Sequence, residues 1–231
     1  MAGSPGKRST SSTRCAALSP EDGTERVTAA PGPRAYQLYG RRKGPALRQH
    51  QQHLMETLLP RLAVDPACDL SRPALLFEQP RERLWLEIGF GGGEHLAERA
   101  RQNPDVGFIG CEPFVNGVAK LLAAIEADGL ANIRLHPGDA RDLLPRLGSG
   151  AFERTFLLFP DPWPKARHQK RRFVSQATLG ELARILEPGG IFRFASDWPD
   201  YVEQVQAEVD AHGGFAALPP DASPRPVTRY E

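Results

Sequence analysis

From Leu84 onward, short apolar runs alternate with stretches in which apolar residues recur at helical spacing. Arg83 to Ile88, Val106 to Glu112, Asn132 to His136, Arg154 to Phe159 and Ile191 to Ser196 read as strands. Between them, Val118, Leu121, Leu122 and Ile125 give one apolar helix face, and Leu179, Leu182, Ala183 and Leu186 give another. This alternation is the arrangement of strand–helix–strand units. It predicts an α/β fold: a doubly wound, mostly parallel sheet with helices on both faces. Glu187-Pro188-Gly189-Gly190 is expected to stop the second helix before the last strand. Pro199 suits the first turn of a further helix carrying Tyr201, Val205 and Val209 on one side.

The pattern weakens toward the N-terminus. Leu47, Leu54, Leu58 and Leu62 predict one amphipathic helix leading into the core, preceded by a short basic segment, Tyr36 to Lys43. Residues 1–34 are rich in Ser, Thr, Pro, Gly and Arg and almost lack large apolar side chains, so burial cannot offset the entropy of ordering them. They are expected to form a disordered tail, with residues 35–231 as one domain. A chain of 231 residues, 40% hydrophobic, suffices for one good-sized core.

Composition then narrows the chemistry. No apolar run approaches a membrane span, and no hydrophobic N-terminal segment suggests a signal peptide, so a cytoplasmic location without membrane attachment is expected. Cys15, Cys68 and Cys111 are far apart and odd in number, which disfavours a disulfide framework, a zinc site or an iron–sulfur cluster; no metal is expected. The net charge of +1 is unevenly distributed: residues 1–53 hold nine Lys or Arg against three acids, and five basic side chains and no acid lie between Lys165 and Arg172.

Doubly wound sheets bind ligands beyond the carboxyl ends of their strands, so the residues closing each run carry the candidate chemistry. The first run ends in Glu87-Ile88-Gly89-Phe90-Gly91-Gly92-Gly93, and glycines such as Gly89 and Gly91 let a ligand approach the backbone closely. A dinucleotide fingerprint would place its third glycine where Glu94 stands, which disfavours a dehydrogenase. Glu112, at the end of the second run, is placed to accept hydrogen bonds from ribose hydroxyls. Asp139, before Ala140, is either a helix N-cap or a cofactor contact.

The fourth run ends in Phe159-Pro160-Asp161-Pro162-Trp163-Pro164, where three prolines hold a carboxylate and an aromatic ring rigidly outside the sheet. Such a pair suits a purine, whose edge N–H groups can bond the carboxylate while the ring supports its face. The alternative is a rigid loop that packs Trp163 into the core. The basic run from Lys165 to Arg172 follows at once, so Lys165, Arg171 and Arg172 are expected to meet phosphates. Asp197, at the end of the fifth run, either begins the next helix or faces the substrate.

Together Glu87-Ile88-Gly89-Phe90-Gly91, Cys111-Glu112-Pro113, Phe159 to Lys165, Arg167-His168, Lys170-Arg171-Arg172, Ala195-Ser196-Asp197-Trp198 and Pro226 to Glu231 resemble the bacterial tRNA (guanine-N7)-methyltransferases over roughly residues 36 to 231. The resemblance implies a Rossmann-like class I methyltransferase fold. It also implies transfer of a methyl group from S-adenosyl-L-methionine to the variable-loop guanine of tRNA, by a monomer or homodimer. By match of motif, Glu87, Glu112, Asp139 and Asp161 would line the cofactor site, with Gly89, Gly91 and Ala140 beside them. Asp161 would be catalytic, and Lys165, Asp197, Thr228, Arg229, Tyr230 and Glu231 would contact tRNA. The family's pattern continues past Glu231 to a strand that completes the sheet, so that strand is expected to be missing here. Two other readings remain: a methyltransferase acting on an exocyclic amine, and a tRNA-binding relative without catalysis, against which the intact Glu87, Glu112 and Asp161 speak.

Overall fold

Strands whose two faces are both covered by helices should bury nearly every side chain. Five runs form β1 (Arg83–Ile88), β2 (Val106–Cys111), β3 (Ile133–His136), β4 (Phe152–Leu158) and β5 (Leu186–Ala195), of which β1 to β3 are buried in this way. In β1 all residues after Arg83 are buried, and in β2 and β3 all are. The computed structural model describes residues 39–40 and 42–218, in which the strands pair in parallel in the order β3-β2-β1-β4-β5. The expected tail over residues 1–34 and the segment Thr228 to Glu231 lie outside the described residues.

The helices are α1 (Gln49–Thr57), α2 (Leu59–Leu62), α3 (Glu94–Gln102), α4 (Val115–Asp128), α5 (Gln176–Ile185) and α6 (Pro199–His212). Because successive side chains of a strand point to opposite faces, the sheet feeds two cores. Leu84, Leu86 and Ile88 join Leu179, Leu182 and Tyr201 on the α5–α6 face. Trp85, Phe108 and Phe156 join Leu54, Leu96, Leu121 and Leu122 on the face covered by α1, α3 and α4. By the same alternation Glu87 belongs to the Trp85 face, under α3.

Sequence order reverses beside β1, whose neighbours are β2 and β4. The connections leave in opposite directions there, so a crevice opens outside the carboxyl ends of β1 and β4.

Local chemistry moved several boundaries. The single helix expected from Leu47 to Leu62 is divided at Leu58, because Pro60 has no N–H to continue it, and Ala63 then pairs with Leu135 at the β3 edge. The helix predicted after Asp139 is two 3-10 turns, Ala140–Asp142 and Leu144–Arg146, the second opened by Pro145. Glu187-Pro188-Gly189-Gly190 lies inside β5. Leu186 pairs with Phe152, and the register then slips until Ile191 faces Arg154, with Gly189 at φ +82° absorbing the bulge.

Candidate active site

β1 carries one charged side chain into its buried run, Glu87, which is 4% exposed. The chain then turns through the glycine loop into α3. Gly89 adopts φ +70°, and a Cβ built there would meet no atom within 4 Å, so the bare backbone borders open space. From the opposite side α4 presses on the loop: a Cβ at Gly117 would stand 2.0 Å from the Gly91 carbonyl oxygen. Only glycine allows that approach.

Glu112, just past β2, fixes the loop in place. One of its carboxylate oxygens accepts the Gly91 N–H at 2.7 Å and the other accepts the Phe114 N–H at 2.8 Å. An ionised carboxylate offers about four acceptor sites. Pinning the loop and receiving ribose hydroxyls are therefore compatible. Beyond β3, Asp139 caps the Ala140–Asp142 turn: its Oδ1 accepts the Arg141 N–H at 2.9 Å, and the Arg141 guanidinium forks onto both oxygens at 2.9 and 2.7 Å. Ala140 is buried beside it.

β4 passes into the proline loop at Phe159, whose N–H donates to the Ala195 carbonyl at 2.8 Å. Phe159 (φ +48°) and Trp163 (φ +45°) are the non-glycine residues with positive φ among the described residues. Non-glycine residues rarely take this conformation unless their surroundings impose it, and such positions cluster at functional sites. The loop presents Asp161 exposed and without a hydrogen-bond partner among the described residues. Trp163 is held edge-on by Tyr39 and by His168, each ring at 6.1 Å, while the Arg171 guanidinium lies 4.9 Å from its centroid and 4.3 Å from that of Tyr39. The ring therefore packs the loop, the less functional of the roles the sequence allowed it.

Residues 39–40 lie against the proline loop on one side of this crevice and residues 42–45 against the start of α4 on the other. Gly40 passes beside Asp161, so that an added Cβ would lie 3.3 Å from Asp161 Oδ2. At the other side the Val115 N–H donates to the Arg42 carbonyl at 3.0 Å, the Gly44 N–H donates to Asn116 Oδ1 at 2.7 Å, and Asn116 Nδ2 donates to the Pro45 carbonyl at 2.8 Å. Tyr39, Asn116 and Gly117 were missed in the sequence. For Tyr39 the one signal was the basic segment before α1, which pointed to charge and not to packing; Asn116 and Gly117 gave none.

The basic run forms a 3-10 turn, Ala166–Arg171, capped by Lys165. Lys165, Arg167 and Lys170 are exposed. His168 is pulled below the ordinary histidine value by desolvation and then by Arg171, Arg167, Lys165 and Lys170. Arg172 departs from the expectation of a phosphate contact: its side chain is 1% exposed and turned inward. It donates to the Pro162 carbonyl at 2.8 Å, to Gln204 and to Asp200, and lies over the Tyr201 ring. Arg172 thus clamps the proline loop to α6. Asp197 stands beyond β5, exposed and without a hydrogen-bond partner among the described residues; the N-cap of α6 is Trp198. It does not cap the helix.

The fold therefore brings Glu87, Gly89, Gly91, Glu112, Asp161, Lys165 and Asp197 to the carboxyl edge of one sheet. A family model described as "Putative methyltransferase" matches residues 81–231. Individual relatives agree. A tRNA (guanine-N(7)-)-methyltransferase of Paramagnetospirillum magneticum is 50% identical over 206 residues, covering 84% of this chain and 85% of that protein. Proteins of the same name from Nitrobacter hamburgensis (53% identical; 78% of this chain, 71% of the relative) and Paracoccus denitrificans (47%; 87% and 90%) are similar. On a Rossmann-like class I methyltransferase fold, the chain belongs to the tRNA (guanine-N7)-methyltransferase family.

Proposed function

We propose that this chain transfers the methyl group of S-adenosyl-L-methionine to N7 of the variable-loop guanine of tRNA, in the cytoplasm, with Asp161 as the catalytic residue. The observation that carries this reading is the placement of Asp161: an exposed carboxylate without a partner among the described residues, on a strained loop beside the β1–β4 crevice and next to a basic turn.

The residues present fit the cofactor. The open space over Gly89 can receive a ligand against bare backbone. Glu112 can offer its carboxylate to ribose hydroxyls, Glu87 can offer a buried carboxylate to a cationic group, and Asp139 and Ala140, just beyond β3, can contact the adenine. When bound, S-adenosylmethionine supplies a methyl group on a positively charged sulfur. The protein's own contribution is geometric and electrostatic. Guanine N7 carries an in-plane lone pair and loses no proton on methylation, so no general base is required. Holding two reactants in line is worth about 7 to 11 kcal/mol for well-oriented pairs. Asp161 can accept N–H groups of the guanine edge, fixing its rotation, and its charge favours the cationic purine that forms. Lys165, exposed at the start of the basic turn, can meet a phosphate of the incoming chain, Arg171 can do so from its place over Tyr39 and Trp163, and Asp197 can receive a further donor of the substrate.

Removing a charge that acts mainly in the transition state lowers turnover more than binding. Asp161→Asn is therefore expected to reduce methyl transfer to tRNA by about a hundredfold or more at saturating cofactor, with tRNA affinity nearly unchanged. Undiminished turnover in single-turnover assays would remove Asp161 from the mechanism.

A further inference from the structure

Glu87 is an expensive residue to bury. At 4% exposure its carboxylate has one hydrogen-bonding partner among the described residues, His95, whose Nδ1 lies 2.7 Å from Oε2. Oε1 has none among them. A buried anion with most of its acceptor capacity unused is unfavourable unless a cation arrives to complete it.

His95 sits in the first turn of α3, itself 5% exposed. Two contacts fix its ring. Phe156 of β4 meets it edge-on, with centroids 5.1 Å apart. Arg99, one helical turn further along α3, directs its Nε–H at His95 Nε2 over 3.4 Å. A guanidinium can only donate, so His95 Nε2 is the acceptor and the ring proton resides on Nδ1. That proton then points at Glu87. The three side chains form a directed chain, Arg99 to His95 to Glu87, from the outer half of α3 to the floor of the crevice beside the glycine loop.

We infer that His95 is a positioning residue, which holds the Glu87 carboxylate with Oε1 presented to the α-ammonium group of the cofactor's amino-acid moiety. The inference rests on the cofactor reading above. With His95 Nδ1 as donor to Oε2, the Glu87 carboxylate loses its rotational freedom and leaves Oε1 available. Arg99 supplies the direction of the proton, so it acts one step behind His95. No residue of the chain touches the reacting methyl in this role, and its effect belongs to cofactor binding, not to tRNA.

The test compares two ligands on one protein preparation by calorimetry. S-adenosylhomocysteine carries the amino-acid moiety, whereas 5′-methylthioadenosine lacks it. His95→Leu of the full chain is expected to weaken S-adenosylhomocysteine binding about tenfold or more, the scale of a lost charge-assisted hydrogen bond, and to leave 5′-methylthioadenosine binding unchanged. His95→Asn, whose amide can donate from nearly the same place, should restore most of the loss. Partial unfolding would weaken both ligands together, so the ratio of the two affinities isolates positioning. Equal losses for both ligands, or no loss for S-adenosylhomocysteine in a protein whose wild type binds it, would overturn the inference while sparing the cofactor reading. A wild-type chain that binds neither ligand would remove both.

Discussion

At the scale of single residues, the candidate site is held in shape by side chains with definite structural tasks. Glu112 ties down the glycine loop through Gly91, Asp139 caps a turn, and Arg172 locks the proline loop from within. Residues at strand ends were legible in the sequence because a parallel sheet delivers them to one edge whatever the loops do. Glu87, Glu112, Asp161 and Asp197 are of this kind. Tyr39 and Asn116 were not, since Tyr39 meets Trp163, and Asn116 meets Gly44, only through the closed fold. Gly117 was equally silent: one glycine within a helix says nothing until the Gly91 carbonyl is found 2.0 Å from where its Cβ would be. Gly117→Ala should therefore push the glycine loop off Glu112. Overpacking of this kind costs about 1 to 3 kcal/mol, and the expected result is a lower melting temperature together with weaker S-adenosylhomocysteine binding. A variant that melts and binds like the wild type would show that the loop is not gripped as described.

At the scale of elements, the run from Lys165 to Arg172 divides by direction. The sequence presented it as one basic patch; the 3-10 turn faces Lys165, Arg167 and Lys170 outward and Arg172 inward, a distinction that composition cannot express. Two different failures follow. Arg172→Met should leave the Pro162 carbonyl and Gln204 without their donor and destabilise folding by about 1 to 3 kcal/mol in urea titrations. Lys165→Ala and Lys170→Ala should leave stability within about 0.5 kcal/mol and reduce the slope of log affinity for tRNA against log salt, by roughly one for each phosphate that is no longer neutralised. Salt slopes unchanged in both lysine variants would make this turn a solvated face.

A second element-scale effect lies at the opposite, amino end of the sheet. Glu153 on β4 is held at about 2, below the ordinary value of 4.5, chiefly by its hydrogen bond from Arg83, with Trp85 Nε1 donating to it at 3.0 Å. A depressed carboxylate contributes stability above its unfolded value that is lost as pH falls through the folded one. The stability gap between wild type and Glu153→Gln should accordingly be constant above pH 4.5 and close as pH drops toward about 2. A gap that persists at the acid end would assign the effect to packing and not to charge.

At the scale of the whole molecule, the alternation of apolar runs and helical stretches predicted the layer order before any contact was known, because two-sided burial leaves few arrangements for such a pattern. It predicted less well where backbone chemistry overrules periodicity: at Pro60, at Pro145 and at the Pro188-Gly189 bulge. Residues 39–40 meet the β4 loop and residues 42–45 meet the start of α4, so both sides of the crevice are touched by residues that sequence order places before the entire sheet. Glu87 with the glycine loop, the exposed Asp161 and the basic 3-10 turn share one edge, an arrangement that the proposed methyl transfer would use as a whole. The most direct measurement is to incubate the full chain with methyl-labelled S-adenosylmethionine and unmodified tRNA and to map the label by nuclease digestion and mass spectrometry. The account predicts N7-methylguanosine in the variable loop; a methyl on an exocyclic amine, or tRNA binding without transfer, would contradict it.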